Sequence, residues 1–235
     1  MTRGPLSLDN PICVALDLPD AGAIEGMAVK VEDHVGVFKI GLTAFAGAGP
    51  GLVSELGARR PVFVDLKLHD IPAQVSGAVA AIAAGGASYT TIHASGGSDM
   101  IRAAVEAADG VTILSVTVLT SLDSAQLQRI GFSGNAQSTV LRLAEEALQA
   151  GSPGLVCSPL EITSLRTEFG AREAGGPLLV VPGIRSQGAA RDDQRRTLSA
   201  REAVDAGADM IVVGRPITAA EDPAGAARGM QEELR

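Results

Sequence analysis

Eight short and almost continuously apolar runs recur along this chain of 235 residues, and they constrain its fold more than any other feature. Strands that are buried on both faces of a parallel sheet have this pattern. The intervening segments repeat apolar residues at spacings of three and four, as amphipathic crossover helices do. The predicted strands cover residues 12–16, 35–40, 61–66, 89–93, 112–116, 154–157, 178–181 and 210–213, and the predicted helices include 73–84, 100–108, 139–150, 199–206 and 216–234.

Eight alternating strands and helices in a chain of this length predict an α/β fold, a (β/α)8 TIM barrel that forms a single domain over residues 1–235. An open, doubly wound parallel sheet is the weaker alternative. The polar residues favour the barrel, because they fall at or just after the carboxyl ends of the predicted strands, where barrel enzymes place their active sites. These residues are Asp17, Lys39, Asp65, Lys67, His93, Thr117, Thr120, Arg185 and Arg215.

Composition and charge argue against several classes of function. A formal net charge of −8 and an aromatic content of 3% disfavour nucleic-acid binding, which needs a basic surface and rings for base stacking. No apolar segment is long enough to span a bilayer, so we expect no membrane partner and a soluble, cytoplasmic protein. Cys13 and Cys157 lie on separate predicted strands without a metal-binding spacing, which predicts two buried, reduced cysteines.

The most informative local pattern runs from Asp65 to Asp70 at the end of the third predicted strand. Alternation along a strand places Asp65 and Lys67 on one face, and Asp70 follows in the turn. Lys39 ends the neighbouring second strand, so we expect its ammonium group beside Asp65. Bare charges at buried strand ends are costly. Such a cluster is therefore either a structural ion-pair network that ties the strands together or a catalytic site.

Two turns that combine glycine with arginine predict an anion site. Gly183 and Arg185 follow the seventh strand, and Gly214 and Arg215 follow the eighth. Glycine lets backbone N–H groups approach an anion and arginine adds a planar pair of donors, and these two loops form the recurrent phosphate site of the barrel fold. The polar segment 185–197 is long for such a connection, and we expect a lid that brings Gln194 inward.

His93 follows the fourth strand and is expected to orient or pack against its neighbours. No second histidine, glutamate or cysteine lies near it in a metal-binding spacing, and the sequence predicts no metal site. Thr117 and Thr120 follow the fifth strand and offer hydroxyl groups to a polar ring, although such residues are also common in turns.

Taken together, these segments resemble orotidine 5′-phosphate decarboxylase of the bacterial type over nearly the whole chain. The D-x-K-x-x-D motif alone marks a wider group of barrel decarboxylases and aldolases, and its combination with Lys39 and the two arginine turns makes the resemblance specific. The matching segments are VALD (14–17), FKIG (38–41), DLKLHDIP (65–72), HASGG (93–97), VLTS (118–121), PGIR (182–185), DQRR (193–196) and VGRP (213–216). The resemblance implies conversion of orotidine 5′-monophosphate to UMP and CO₂ in pyrimidine biosynthesis, without a metal ion or organic cofactor.

The resemblance also implies a role for each site residue. Lys67 donates the proton to the ring carbon that loses CO₂. Lys39, Asp65 and Asp70 complete the charged network, and Asp70 reaches in from the second subunit of a homodimer. The implied substrate-binding residues are Asp17 and Lys39 for the ribose, Thr120 for the pyrimidine, Gln194 for both phosphate and ring, Arg185, Gly214 and Arg215 for the phosphate, and Ile71 and Gln74 beside the motif.

One position departs from the resemblance. The family commonly continues the motif as Ile-Pro-Asn-Thr, whereas this chain reads Ile71-Pro72-Ala73-Gln74. The hydroxyl group that would contact the ligand of the neighbouring subunit is therefore absent. Either the Gln74 amide replaces it or the contact is lost.

Two other functions remain open from the residues. A metal-dependent decarboxylase of sugar-phosphate keto acids shares the D-x-K-x-x-D motif. It is expected to place an acidic metal ligand on the second strand, where Lys39 would repel a cation. A catalytically silent nucleotide-binding protein would keep the phosphate turns. Binding alone, however, does not need four charges of alternating sign beside a pocket, namely those of Lys39, Asp65, Lys67 and Asp70.

Overall fold

The computed structural model describes residues 9–184 and 198–235. Neighbouring strands pair in parallel in chain order, and the last strand pairs with the first, so the sheet closes into a barrel. The predicted (β/α)8 barrel is confirmed, and the open-sheet alternative is wrong. The strands are β1 (Ile12–Ala15), β2 (Val37–Gly41), β3 (Val62–Leu68), β4 (Tyr89–His93), β5 (Thr112–Val116), β6 (Gly154–Val156), β7 (Leu178–Pro182) and β8 (Met210–Val213).

Helices connect the strands and pack around the barrel. Several begin where a polar side chain caps them, as Asn135 and Ser199 do by accepting hydrogen bonds from backbone N–H groups of the following turn. The helices are α1 (Ala21–Val31), α2 (Leu42–Ala48), α3 (Gly51–Gly57), α4 (Pro72–Ala84), α5 (Ser98–Glu106), α6 (Ser124–Arg129), α7 (Ala136–Gln149), α8 (Ile162–Phe169), α9 (Ala200–Asp205), α10 (Arg215–Thr218) and α11 (Pro223–Glu233).

The prediction of one helix over residues 216–234 is wrong, because two helices occupy this segment. α10 ends at Thr218 and α11 begins at Pro223. Asp222 accepts a hydrogen bond from the Gly225 N–H, and proline occupies the first helical position, a combination that starts a new helix. The other predicted elements end within about three residues of the observed bounds.

The strands are buried on both faces because they separate two apolar clusters. The larger cluster lies between the barrel and the helices and includes Val14, Ile40 and Ile92. The smaller cluster, called here the inner cluster, is centred on Phe63 and Tyr89 and fills the barrel interior. The rings of Phe63 and Tyr89 pack edge to face with centroids 6.2 Å apart. The inner cluster forms the floor beneath the carboxyl ends of the strands.

A partly buried ion pair secures the opposite, amino-terminal end of the barrel. Arg166 of α8 donates to Asp209 Oδ2 at 2.6 Å and to the carbonyl oxygens of Gly207 and Pro177. Asp209 Oδ2 also accepts from the Leu179 N–H at 2.6 Å. One guanidinium group therefore holds together the segments that lead into β7 and β8.

Both cysteines are buried and reduced, as predicted. Cys13 belongs to the inner cluster, and Cys157 follows β6. Burial raises the pKa of each thiol, so both are protonated at neutral pH. In the two described ranges, no helix combines the length and the apolar surface that crossing a bilayer requires.

Candidate active site

A row of four charged side chains lines a cavity of about 710 Å³ at the carboxyl ends of the strands. Lys39 Nζ donates to Asp17 Oδ1 at 3.0 Å and lies 3.5 Å from Asp65 Oδ2. Lys67 Nζ donates to Asp65 Oδ1 at 2.8 Å. The signs alternate from Asp17 through Lys39 and Asp65 to Lys67, and we call this set the charged row.

The two central side chains of the charged row are more buried than the two at its ends. The side chains of Lys39 and Asp65 are only 8% and 14% exposed, whereas those of Lys67 and Asp17 are 30% and 48% exposed. The two central charges are thus largely withdrawn from water and depend on their partners. Lys67 is held at one end by Asp65 but remains open to the cavity, where it can meet a ligand.

Mutual pairing keeps the central charges ionised. Burial by itself would lower the pKa of Lys39, but the carboxylates of Asp65 and Asp17 outweigh it and raise that pKa above its ordinary value. Burial would likewise raise the pKa of Asp65. The ammonium groups of Lys39 and Lys67, with hydrogen bonds from Lys67 and Thr91, outweigh it and lower that pKa. Both groups are therefore charged at neutral pH.

An irregularity in β3 places Lys67 in the row. The register between β3 and β4 shifts between Val64 and Leu68, which marks a bulge. Lys67 lies in this stretch with φ of 53°, and it is the one residue other than glycine with a positive φ in the described part of the chain. Such a conformation costs about 1–3 kcal/mol and persists where surrounding contacts enforce it. The bulge therefore stores strain at the end of the charged row.

The same cavity is lined by residues of the predicted phosphate turns. Gly183, which follows β7, and Gly214 and Arg215, which follow β8, line it together with Thr120. These residues share one cavity with the charged row, as the strand-end argument required. Arg185, Gln194 and the remainder of the predicted lid, 185–197, lie outside the described residues.

Three residues of the motif region lie apart from this cavity. Asp70 and Ile71 line a separate shallow concavity together with His69 and Gly96. Asp70 Oδ1 accepts from the Ile71 N–H at 2.6 Å, and the Ile71 side chain is exposed. Gln74 is also exposed, in the first turn of α4. Within one chain, none of the three lines the large cavity.

His93 has a histidine neighbour that the sequence analysis did not foresee. The rings of His69 and His93 lie 5.3 Å apart. Burial, with the charges of His69 and Lys67, lowers the pKa of His93. In the described ranges, no group of three or more His, Cys, Asp and Glu side chains is arranged to hold a metal ion.

Thr117, predicted to offer its hydroxyl group to a polar ring, donates a hydrogen bond from it to the Val156 carbonyl oxygen.

Comparison with known proteins identifies the family. The model of the "Orotidine 5'-phosphate decarboxylase / HUMPS family" matches residues 10–230. The chain belongs to the orotidine 5′-phosphate decarboxylase / HUMPS family. The family assignment agrees with the resemblance that the sequence indicated.

Relatives in the orotidine 5′-phosphate decarboxylase / HUMPS family match nearly end to end. An orotidine 5′-phosphate decarboxylase of Anaeromyxobacter dehalogenans is 52% identical over 95% of this chain and 97% of its own length. That of Thermobifida fusca is 47% identical over 95% of each chain. A crystal structure of the enzyme from Lactobacillus acidophilus superposes with a TM-score of 0.84 at 33% identity, covering 97% of this chain and all of the other.

The sequence did not indicate two residues of this family member that contact the charged row, Gly41 and Thr91. A Cβ atom on Gly41 would lie 2.3 Å from Asp17 Oδ1 and 3.0 Å from Lys39 Nζ, so a larger residue would displace the pair from its present position. Thr91 hydrogen bonds to both Asp65 and Lys67. The FKIG segment could have drawn attention to Gly41. Thr91 had no comparable signal, because a threonine in a strand is ordinary.

Proposed function

We propose that this chain is a cytoplasmic orotidine 5′-phosphate decarboxylase that converts orotidine 5′-monophosphate to UMP and CO₂ in pyrimidine biosynthesis. The observation that carries the proposal is the Lys67 ammonium group, paired with Asp65 and open to a cavity that Gly214 and Arg215 also line. The names of the nearly full-length relatives support the same reaction. The proposal needs no nucleic-acid or membrane partner.

The substrate phosphate binds at the turns after β7 and β8. Arg215 and Arg185 supply charged donors, and Gly214 allows the backbone to approach the phosphate oxygens. Gln194 is proposed to bind both the phosphate and the pyrimidine ring. The ribose hydroxyls bind at Asp17 and Lys39, and Thr120 faces the pyrimidine, so the bound ring is directed at Lys67.

Lys67 then lowers the barrier electrostatically and supplies a proton. Breaking the bond between the ring carbon and the carboxylate releases CO₂ and leaves an electron pair in the plane of the ring, where conjugation cannot delocalise it. The Lys67 ammonium group stabilises that developing charge and transfers a proton to the carbon, which yields UMP. The neutral amine regains its proton from solvent after product release.

Asp65 has two effects on this step. It holds the Lys67 ammonium group at 2.8 Å, and it presents a second negative charge to the carboxylate of the bound substrate. Loss of CO₂ removes that repulsion, so Asp65 raises the energy of the ground state relative to the transition state. Lys39, on the other side of Asp65, keeps this carboxylate ionised.

The proposal includes a homodimer in which Asp70 of one subunit completes the charged network of the other. The position of Asp70 outside the large cavity of its own chain supports this arrangement. Mixing Lys67→Ala with Asp70→Ala chains tests it. Random pairing of the two inactive variants should restore about a quarter of wild-type activity, because half of the dimers hold one complete site. No recovery would remove Asp70 from the neighbouring site.

The reaction is tested by following the ultraviolet absorbance of orotidine 5′-monophosphate with purified protein in excess EDTA. Wild type should consume the orotate signal, whereas Lys67→Ala should bind UMP but lose nearly all turnover. An inactive wild type would favour a silent nucleotide-binding protein, or the metal-dependent reaction if magnesium and a sugar-acid phosphate restored turnover. Substantial residual kcat in Lys67→Ala would overturn the role of Lys67 as proton donor.

The departure at position 74 has its own test. If the Gln74 amide contacts the ligand of the neighbouring subunit, Gln74→Ala should raise KM while the chain folds normally, since Gln74 is exposed in the structure. An unchanged KM would remove Gln74 from the site.

A further inference from the structure

The bulge in β3 has one partner residue on the neighbouring strand. Val64 pairs with Thr90 and Leu68 pairs with Ile92, so three residues of β3 lie opposite the single residue Thr91. The regular ladder of backbone hydrogen bonds is therefore interrupted where the chain carries the charged row. A backbone N–H in that gap needs another acceptor.

The Thr91 side chain supplies what the interrupted ladder lacks. Thr91 Oγ1 accepts a hydrogen bond from the Lys67 backbone N–H at 2.9 Å and donates to Asp65 Oδ1 at 2.9 Å. Thr91 is fully buried and is not among the residues that line the cavity. One hydroxyl group thus fixes both the strained backbone of Lys67 and the carboxylate that pairs with its ammonium group.

Both hydrogen bonds of Thr91 help to fix the position of the Lys67 ammonium group. The backbone contact holds the residue at its positive φ, from which its side chain reaches the cavity. The carboxylate contact uses the same Asp65 oxygen that accepts from Lys67 Nζ, so it fixes the direction of that ion pair. A hydroxyl group is required at this place because it can accept and donate at once.

We propose that Thr91 is a positioning residue for the decarboxylation, which sets the location of the Lys67 proton donor by holding the bulge of β3 and the Asp65 carboxylate together. The inference rests on the proposed function of this same site. Thr91 does not contact the substrate and acts only through Lys67 and Asp65.

The neighbouring Thr90 provides a matched control. It is also fully buried, and its hydroxyl group donates to the Val64 carbonyl oxygen at 2.9 Å, so it makes a hydrogen bond from β4 to β3 of the same length. Strand alternation turns it to the opposite face, away from the charged row. Thr90→Val therefore removes a comparable buried hydrogen bond without altering Asp65 or Lys67.

The experiment compares Thr91→Val, Thr91→Ser and Thr90→Val by kcat, KM and UMP affinity. Thr91→Val should lower kcat about 100-fold, because a displacement of about 1 Å in a catalytic group has that effect. UMP affinity should change by less than about threefold, since the phosphate and ribose contacts remain. Thr91→Ser should recover most of the kcat, and Thr90→Val should keep it. Equal losses of kcat in Thr91→Val and Thr90→Val would overturn the inference.

A second measurement separates this inference from the proposed function. Hydrogen exchange of the Lys67 amide, followed by NMR, should accelerate at least about tenfold in Thr91→Val and stay slow in Thr91→Ser. Unchanged exchange would overturn the role of Thr91 whether or not the wild type acts on orotidine 5′-monophosphate. If Thr91→Val does not fold, Thr91→Cys replaces it, because a thiol is a weak donor and acceptor of nearly the same size.

Discussion

Gly41→Ala adds one methyl group and should break the pair between Asp17 and Lys39 in the charged row. Gly41 has φ of −91° and ψ of −174°, a conformation open to any residue, so alanine introduces no backbone strain. Its new methyl group would lie 2.3 Å from Asp17 Oδ1. The carboxylate must retreat by about 1 Å to reach ordinary contact distance. Its hydrogen bonds to Lys39 Nζ, at 3.0 and 3.2 Å, are then lost.

The size of the effect follows from the exposure of the two partners. The Asp17 side chain is 48% exposed, so solvent screens the pair and its direct contribution is about 1 kcal/mol. Lys39 is buried and loses one of its two carboxylate partners, which adds a fraction of that amount. A total of about 1.4 kcal/mol corresponds to a tenfold change in an equilibrium constant. Because these residues are proposed to bind the ribose, we expect KM to rise about tenfold.

The assay is steady-state decarboxylation of orotidine 5′-monophosphate by four proteins: wild type, Gly41→Ala, Asp17→Ala and the double variant. In the Asp17→Ala background, the second substitution should change KM by less than about twofold, since the group it displaces is absent. A second tenfold loss there would refute the reasoning, because the methyl group would then act on the ligand directly. Gly26→Ala, in α1 with open space around it, is the control and should leave KM unchanged.

Three further outcomes are expected. Arg166→Met should lower the free energy of unfolding by about 2 kcal/mol in urea, because it leaves the partly buried Asp209 without its cation. The exposed Arg102→Met should show no measurable loss. The stability advantage of wild type over Asp65→Asn should be full above pH 3.8, the ordinary pKa of the carboxyl group, and should vanish as pH falls through the lowered folded-state pKa. Lys39→Met should raise the pKa of Asp65 as followed by carboxylate NMR, and an unchanged value would contradict the pairing.

The barrel and the composition of its rim could be predicted from the sequence because they depend on patterns that repeat along the chain. Eight apolar runs predicted eight strands, and polar residues at their ends predicted one shared edge. Lys39 and Asp65 could be placed together for the same reason, since they lie on adjacent strands. These predictions needed only the period of the pattern and the order of the elements.

The local geometry of the site depends on pairwise fit, which the pattern does not contain. Regular alternation does not reveal the bulge at Lys67, whose positive φ depends on a hydroxyl group in the next strand. The close approach at Gly41 depends on where the Asp17 side chain lies in three dimensions. The Asp222-Pro223 pair could have predicted the start of a new helix at Pro223. The apolar spacing around this pair instead led to the prediction of one continuous helix.

The charged row lies between the apolar inner cluster, where the dielectric constant is low, and the solvent, where it is high. Ala15, Phe63 and Val212 belong to that cluster and also line the cavity, so apolar side chains lie below the charges and solvent reaches them from the mouth. Field lines from the row are therefore directed outward into the cavity. A ligand that enters displaces water that would screen the charges, so its own binding strengthens the electrostatic interactions that act on it.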